Sequence, residues 1–361
     1  MRKASIVFLI AFILFFAGIL YLSEIYPSLQ VKGNKDLRIG MVLYGAHDGR
    51  GLSQAHFDAV LEVAREKRLV LEFFDNVTED NMCEKRIEEL IADGCRLIIL
   101  DSGQFSDYSR DASIRHPDIY FLNAYGKTYK DNLAVYFGRM YQAAYLSGIV
   151  AGLQTEKNEI GYVTGFPTSY FRSDVNAFTL GVRKYNKDAN VYVRFSDSSG
   201  EEEAAKKLIS EHDIDVLGCN TYTDKGLIFA EKAGIWSIGC HYDNQEIYPR
   251  TYLTSAVSNW KAFYTEQTDR VMNGTFRGDF YLLGVESGTM GLSSFTGNVK
   301  EGIEEKVTEE EDILLSFKSD VFFGPIYDAQ GELRVGEMES MPDKDIYSSI
   351  NWYVPGVQID G

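Results

Sequence analysis

Cysteine is scarce in this chain, with four residues among 361. Cys83, Cys95, Cys219 and Cys240 form no closely spaced pair. That excludes a zinc ribbon and the disulfide-stapled scaffold of small secreted domains. Cys219 and Cys240 end two similar strand patterns, VLGC and SIGC. A bridge between them stays open for a protein outside the cell; two small buried thiols is the preferred reading. Positive charge is also in deficit. Lys plus Arg total 36 against 53 Asp plus Glu, a net charge of −17. A nucleic-acid binder needs a basic face, so no nucleic-acid partner is expected. The motifs of common chemistries are missing too. Gly45, Gly49 and Gly51 match neither GxGxxG nor GxxxxGK[ST], and read as a flexible turn that lets backbone approach a ligand. His47 and His241 have no second histidine at ligand spacing, and there is no Gly-x-Ser-x-Gly elbow. No catalytic group, metal or cofactor is expected. Asp48 and Asp243 as an acid–base pair is a weaker reading than ligand binding. No helix-turn-helix precedes Leu37, which disfavours a repressor.

What is present is globular: 45% hydrophobic and 25% charged residues. The length exceeds one comfortable core and suits two lobes. Ile6 to Leu22 is a 17-residue apolar run behind Arg2 and Lys3. It sits at the short end of what spans a bilayer. The basic flank places the N-terminus in the cytoplasm and everything after Ser23 outside. A cleaved signal peptide is the rival. It is disfavoured because no small-x-small site follows the run, and no Cys stands at its end for a lipid. Residues 1–35 therefore read as an uncleaved anchor and polar tether, and the folded part as extracytoplasmic, on the surface of a bacterial cell membrane.

From Leu37 onward, β-rich runs alternate with helical periodicities. LRIGMVLYG, LVLEFFD, RLIIL, IYFLNA and LAVYF predict a first set of strands, with a helix over Ala55 to Glu66. Arg139 to Leu153 is apolar nearly all round and rich in Ala, Ser and Gly, so it predicts a buried helix packed closely on a sheet. EIGYVTG, ANVYVRF, DVLGCN and WSIGCH predict a second set. Helices are expected over Asp174 to Tyr185, Glu201 to His212 and Lys225 to Ala233. Two such series imply two doubly wound parallel-sheet lobes. Lys300 to Asp312 is an acidic run, read as a solvated helix or loop.

Ligands of open parallel sheets bind beyond the carboxyl ends of the strands. In the first series these ends are Gly45 to Gly51, Asp75, Asp101-Ser102 and Asn123. In the second they are Gly165-Phe166, Phe195-Ser196-Asp197, Asn220-Thr221-Tyr222 and His241-Tyr242-Asp243. Aromatic faces, carboxylates and neutral hydrogen-bonding groups suit a flat, neutral, polyhydroxylated ligand. They suit phosphate poorly, because Arg50 is the one obvious cation among these loops.

YFGRMYQAAYLSGIVAGLQTEKNEIGYVTGFP (Tyr136 to Pro167), NAFTLGVRKYNKDANV, LTSAVSNW and FFGPIYDAQGELRV with NWYVPGV resemble the basic membrane protein family. These are extracytoplasmic substrate-binding proteins of ABC transporters, typified by purine-nucleoside receptors. The similarity runs over nearly all of Leu37 to Gly361. It implies a type I periplasmic-binding-protein fold, α/β, with two lobes joined by three crossings around a ligand cleft. The implied lobes are 36–137 plus about 256–285, and 138–255 plus about 286–361. By the same resemblance Asp48 binds the base, Asp243 holds ribose hydroxyls, Phe195 stacks, and Asn259 and Trp260 belong to the hinge. Ser53, Phe166, Thr221 and Tyr222 complete the expected ligand set. The first loop departs from the family's D-x-S-F-N: Leu52 stands for the stacking Phe and Ser53 for Asn. Asn220-Thr221-Tyr222-Thr223 replaces the H-T-D-S of one branch, and Ser169, Tyr170 and Ser173 replace its Pro-Glu and Arg. The family's lipid-anchored Cys is missing.

The expected function is a membrane-tethered solute-binding protein that delivers a nucleoside or purine-like ligand to an ABC permease. The alternative is a ligand sensor without transport. A nucleoside-processing enzyme ranks below both, since no D-x-D-x-x-x-D-D cluster is present.

Overall fold

The computed structural model describes residues 37–48, 51–78, 81–196, 200–221, 223–316 and 319–360. The apolar run Ile6 to Leu22 and the tether lie outside them. Among the described residues no helix is long and apolar enough to cross a membrane.

The two predicted series of strands become two separate sheets. The first has six strands: β1 (Arg38–Val42), β2 (Val70–Phe74), β3 (Leu97–Leu100), β4 (Tyr120–Ala124), β5 (Leu133–Gly138) and β11 (Phe280–Leu283). Their order is β11-β5-β4-β3-β1-β2, and every pairing is parallel. The second is built on β6 (Glu159–Thr164), β7 (Asn190–Phe195), β8 (Val216–Asn220), β9 (Trp236–His241) and β10 (Tyr252–Ser258). β12 (Met290–Leu292) and β15 (Val357–Ile359) close its two edges. Within this sheet only β12 runs antiparallel to its neighbour. A short antiparallel pair, β13 (Ile326–Tyr327) and β14 (Leu333–Val335), stands apart from both sheets. The central strands are buried on both faces, as the unbroken apolar runs LIIL and VLGC require. The chain passes between the sheets three times: after β5, between β10 and the helix Lys261–Met272, and between β11 and β12. This is the architecture that the alternation of elements predicts.

The small-residue helix, Met140–Gln154, is buried along its length. Its closest packing is against a second helix, Ser169–Tyr185, and not only against a sheet. A Cβ at Gly148 would lie 2.0 Å from the Phe178 carbonyl oxygen, and one at Gly181 would lie 2.0 Å from that of Tyr145. The helices approach until backbone meets backbone, which is what glycine on both partners permits. The second helix begins ahead of the Asp174 start that the periodicity indicates, at Ser169, because Thr168 caps it by accepting from the Phe171 N–H. The acidic run is a helix, Ile303–Leu315, with Ile303, Val307, Glu310 and Leu314 facing inward. It is solvated on one side only. Buried Glu310 accepts from the Tyr145 hydroxyl at 2.8 Å and pairs with Lys184 at 3.0 Å.

All four cysteines are free and buried. The Cys240 thiol faces the Asn220 side-chain oxygen at 3.3 Å and the Met140 sulfur at 4.0 Å. No bridge joins it to Cys219, which settles the open pairing in favour of two buried thiols.

Candidate ligand-binding site

The carboxyl ends of the two sheets face each other across a cleft with two adjoining chambers. Leu52 and Ser102 line both. One chamber, of about 390 Å³, is polar. It lies mostly on the first lobe, against Ser53, Asp48, Asn76 and Asp101, and is closed by Thr223 to Lys225 of the second. The other, of about 340 Å³, lies between the lobes and is walled by rings. Tyr125 and Phe137 come from the first lobe; Tyr170, Phe171 and Tyr347 come from segments packed with the second.

One buried carboxylate organises the first-lobe side of the polar chamber. Asp101 follows β3 and is 1% exposed. One of its oxygens accepts from the Tyr44 N–H at 2.8 Å, and the other from the Ser53 hydroxyl at 2.5 Å. Ser53 in turn accepts from the Gly45 N–H at 2.9 Å. These bonds tie the loop after β1 to the first turn of the helix Gly51–Lys67. Burial pushes the Asp101 carboxyl up to about 7, although the Ser53 hydroxyl and the Tyr44 N–H both favour the ionised form. His47 is accounted for by structure. Its Nδ1 meets Asp75 at 2.6 Å, and its ring packs on Phe57 and Phe73.

The ring-walled chamber is held by aromatic pairs. Tyr170 stacks on Tyr347 with centroids 5.8 Å apart, and Tyr125 meets Tyr170 edge-on at 5.8 Å. Phe137 contacts Tyr125 at 5.5 Å and Tyr347 at 5.8 Å. Arg139 supports this wall from the hinge. Its guanidinium binds Asp343, in the short helix Asp343–Ser349 that carries Tyr347, and also Glu286 on the third crossing. Beneath the chamber, buried Asp174 accepts from the Asn220 amide at 2.7 Å, and burial holds its carboxyl well above the usual range.

Three expected ligand residues come together here. Asp48 and Ser53 line the polar chamber, and Thr221 lines the ring-walled one. Tyr222 lies outside the described residues. The others stand elsewhere. Asp243 lines a separate cavity of about 240 Å³ on the hinge side, together with Asn259 and Trp260. It accepts from the Gln245 N–H two residues on, a local turn bond. His241, two residues earlier, faces the ring-walled chamber instead. Trp260 is fully buried, stacked on His56 at 4.8 Å and edge-on to Tyr136. It is a core residue of the second crossing, and Asn259 beside it is exposed. Phe195 packs on the second lobe's core, and Phe166 is 56% exposed; neither lines a chamber. Asp101 and His241 were named among the strand ends but not in the expected ligand set, and the chamber-lining Tyr125, Tyr170 and Tyr347 were not named as ligand residues. Asp101 and His241 stand at strand ends, so their positions were readable. Tyr347 reaches the cleft from the far end of the chain, and no local signal marks it.

Among the described residues one group, Glu211, His212 and Asp360, brings imidazole and carboxylate atoms close enough for a metal. Arg194 already binds both carboxylates, at 2.5 and 2.8 Å, so their charge is met.

Residues 37–319 match the family described as PnrA-like ABC transporter substrate-binding proteins, Bmp. The chain belongs to this family. It is 27% identical over 328 residues to a purine-binding protein of Brucella abortus, covering 89% of this chain and 93% of that one. It is 24% identical over 304 residues to basic membrane protein B of Borreliella burgdorferi, covering 78% and 87%. Solved structures share the fold. A transcriptional activator of the comK gene from Bacillus halodurans superposes with a TM-score of 0.69 at 19% identity, over 78% of this chain and 99% of that one. An ABC transporter solute-binding protein from Conexibacter woesei does so at 0.66 and 19%, over 84% and 100%. The basic membrane protein resemblance and the type I periplasmic-binding fold both hold. The chain is a substrate-binding protein of the ABC-transporter type, a family of binders and not of enzymes.

Proposed function

We propose that this protein captures a nucleoside or purine-like solute between its lobes outside the cell, held to the membrane by Ile6 to Leu22, and presents it to an ABC permease. The carrying observation is the ring-walled chamber between the lobes, which shares Leu52 and Ser102 with a polar one. Tyr125, Phe137, Tyr170 and Tyr347 offer faces for a flat base, and Asp48 and Ser53 offer partners for a hydroxylated substituent. A ligand touching both lobes favours the closed form by its differential affinity, and closure is the signal a permease reads. The lobes that close are 36–137 with about 256–285, and 138–255 with about 286–361. The purine-binding name of the Brucella relative supports this class.

A sensor without transport is the second reading. It draws support from relatives named as transcriptional activators. Neighbouring permease and ATPase genes would decide for transport. The ligand class is tested by a thermal-shift screen of the purified protein against nucleosides, bases and sugars. A shift with nucleosides or purines is expected, and a shift with sugars alone would reject the class.

A further inference from the structure

His241 closes β9 and sits between two cavities. One side of it lines the ring-walled chamber, and it also borders the hinge-side cavity that holds Asp243 and Trp260. Two costs are concentrated on it. It is 6% exposed, and its Nδ1 has no hydrogen-bond partner. Buried polar atoms are normally paired, so an orphan of this kind asks for an explanation. Its backbone φ is 66°, in the left-handed region, which few non-glycine residues adopt and His does more readily than most. Strained backbone and unpaired polar groups persist where surrounding structure enforces them, and they cluster at ligand sites. Here both fall on a residue at the carboxyl end of a central strand, where ligands of parallel sheets bind.

The surroundings narrow the ligand. Burial pushes the His241 imidazole down to about 4, so at neutral pH the ring is uncharged and offers one N–H and one lone pair. Among the described residues, the chamber beside it is lined by five aromatic rings and no carboxylate, and Lys127 is its one ionic side chain. An organic cation would find no carboxylate among these described lining residues. A ring-bearing, uncharged ligand finds faces to stack on and a neutral partner at its edge.

We propose that His241 is a ligand-recognising residue, whose imidazole hydrogen-bonds a ring nitrogen, N–H or C=O on the edge of an uncharged heterocycle held in the ring-walled chamber, and that Asp243 does not touch that ligand. This rests on the cleft being the ligand site. It goes further by naming the residue that reads the ring.

The test is isothermal titration of the full-length protein in detergent with adenosine, inosine, hypoxanthine and uracil. The variants are H241A, H241G, H241N and D243N, each with a thermal melt alongside. Wild type is expected to bind at least one probe. H241A is expected to weaken that probe about tenfold or more, the loss of one hydrogen bond to a buried group. D243N is expected to stay within about twofold. Asn accepts the left-handed backbone and keeps a donor and an acceptor. H241N should therefore melt near wild type even if H241A does not fold, and should recover part of the affinity. A probe bound equally by wild type and by folded H241A, or by H241G, which accepts the left-handed backbone and carries no side chain, overturns the role of His241 and leaves the cleft reading intact. Equal losses in D243N and H241A overturn the distinction between the two residues. If none of the four probes binds wild type, the heterocycle class falls for the whole cleft, and the role of His241 falls with it.

Discussion

Replacing Asp101 by Asn probes the buried carboxyl that organises the polar chamber. In the folded protein burial pushes its carboxyl up to about 7. In the unfolded chain an Asp titrates near 4. The folded state therefore holds a proton between about pH 4 and 7 that the unfolded state has released. Stability from this group is fully present below about pH 4 and is lost as pH rises through 7. Three pH units correspond to roughly 4 kcal/mol. The Asp101→Asn substitution removes this titration. The new side-chain oxygen can accept from the Tyr44 N–H and its amide can donate to Ser53, so the geometry of the loop survives. The difference in melting temperature, variant minus wild type, should thus rise between pH 4 and 8, by on the order of 5–10 °C. Taking the difference cancels the titration of every other carboxylate to first order. The assay is a series of thermal melts of both proteins across that range. A difference that does not change with pH would show that Asp101 titrates as an ordinary surface carboxylate, and the account of the chamber would fail.

Introducing a Cβ at the helix–helix contact should be costly. Gly148→Ala or Gly181→Ala places a methyl 2.0 Å from a carbonyl oxygen, so a loss of about 1–3 kcal/mol or more is expected by denaturant titration. Trp260→Ala should lower stability by about 3–5 kcal/mol. Ligand affinity measured on the folded fraction should stay unchanged, since Trp260 faces the core and not a chamber. Tyr170→Ala and Tyr347→Ala should do the opposite and weaken a heteroaromatic ligand by about 1–3 kcal/mol each, read by titration calorimetry. All four thiols should resist a thiol reagent in the native protein and react once it is denatured, and reductant should leave the melting temperature unchanged.

Strand and helix alternation, two sheets and buried cysteines were legible in the residue order, because they follow from local periodicity and composition. LIIL and VLGC can only be strands buried on both faces, and an Arg139 to Leu153 segment crowded with Gly, Ala and Ser can only be a closely packed helix. The family resemblance likewise lives in contiguous strings. Site membership did not follow from order, because it depends on where a strand end turns once the lobes meet. His241, in the left-handed region, lines the ring-walled chamber and also borders the hinge-side cavity, while Asp243 two residues on lines the hinge-side one. Trp260 sits beside a crossing in sequence, yet its ring lies inward on His56, because a large apolar surface is stabilised by burial more than by lining a wet cleft. Tyr347 joins Tyr170 from the far end of the chain through the Arg139–Asp343 pair, a contact that no local pattern encodes. Residue order alone sets which elements form and what the core is made of, because both follow from short-range pattern. Which side chains share the cleft is set by the long-range packing of two lobes and a returning C-terminal segment, and that information is spread over the whole fold.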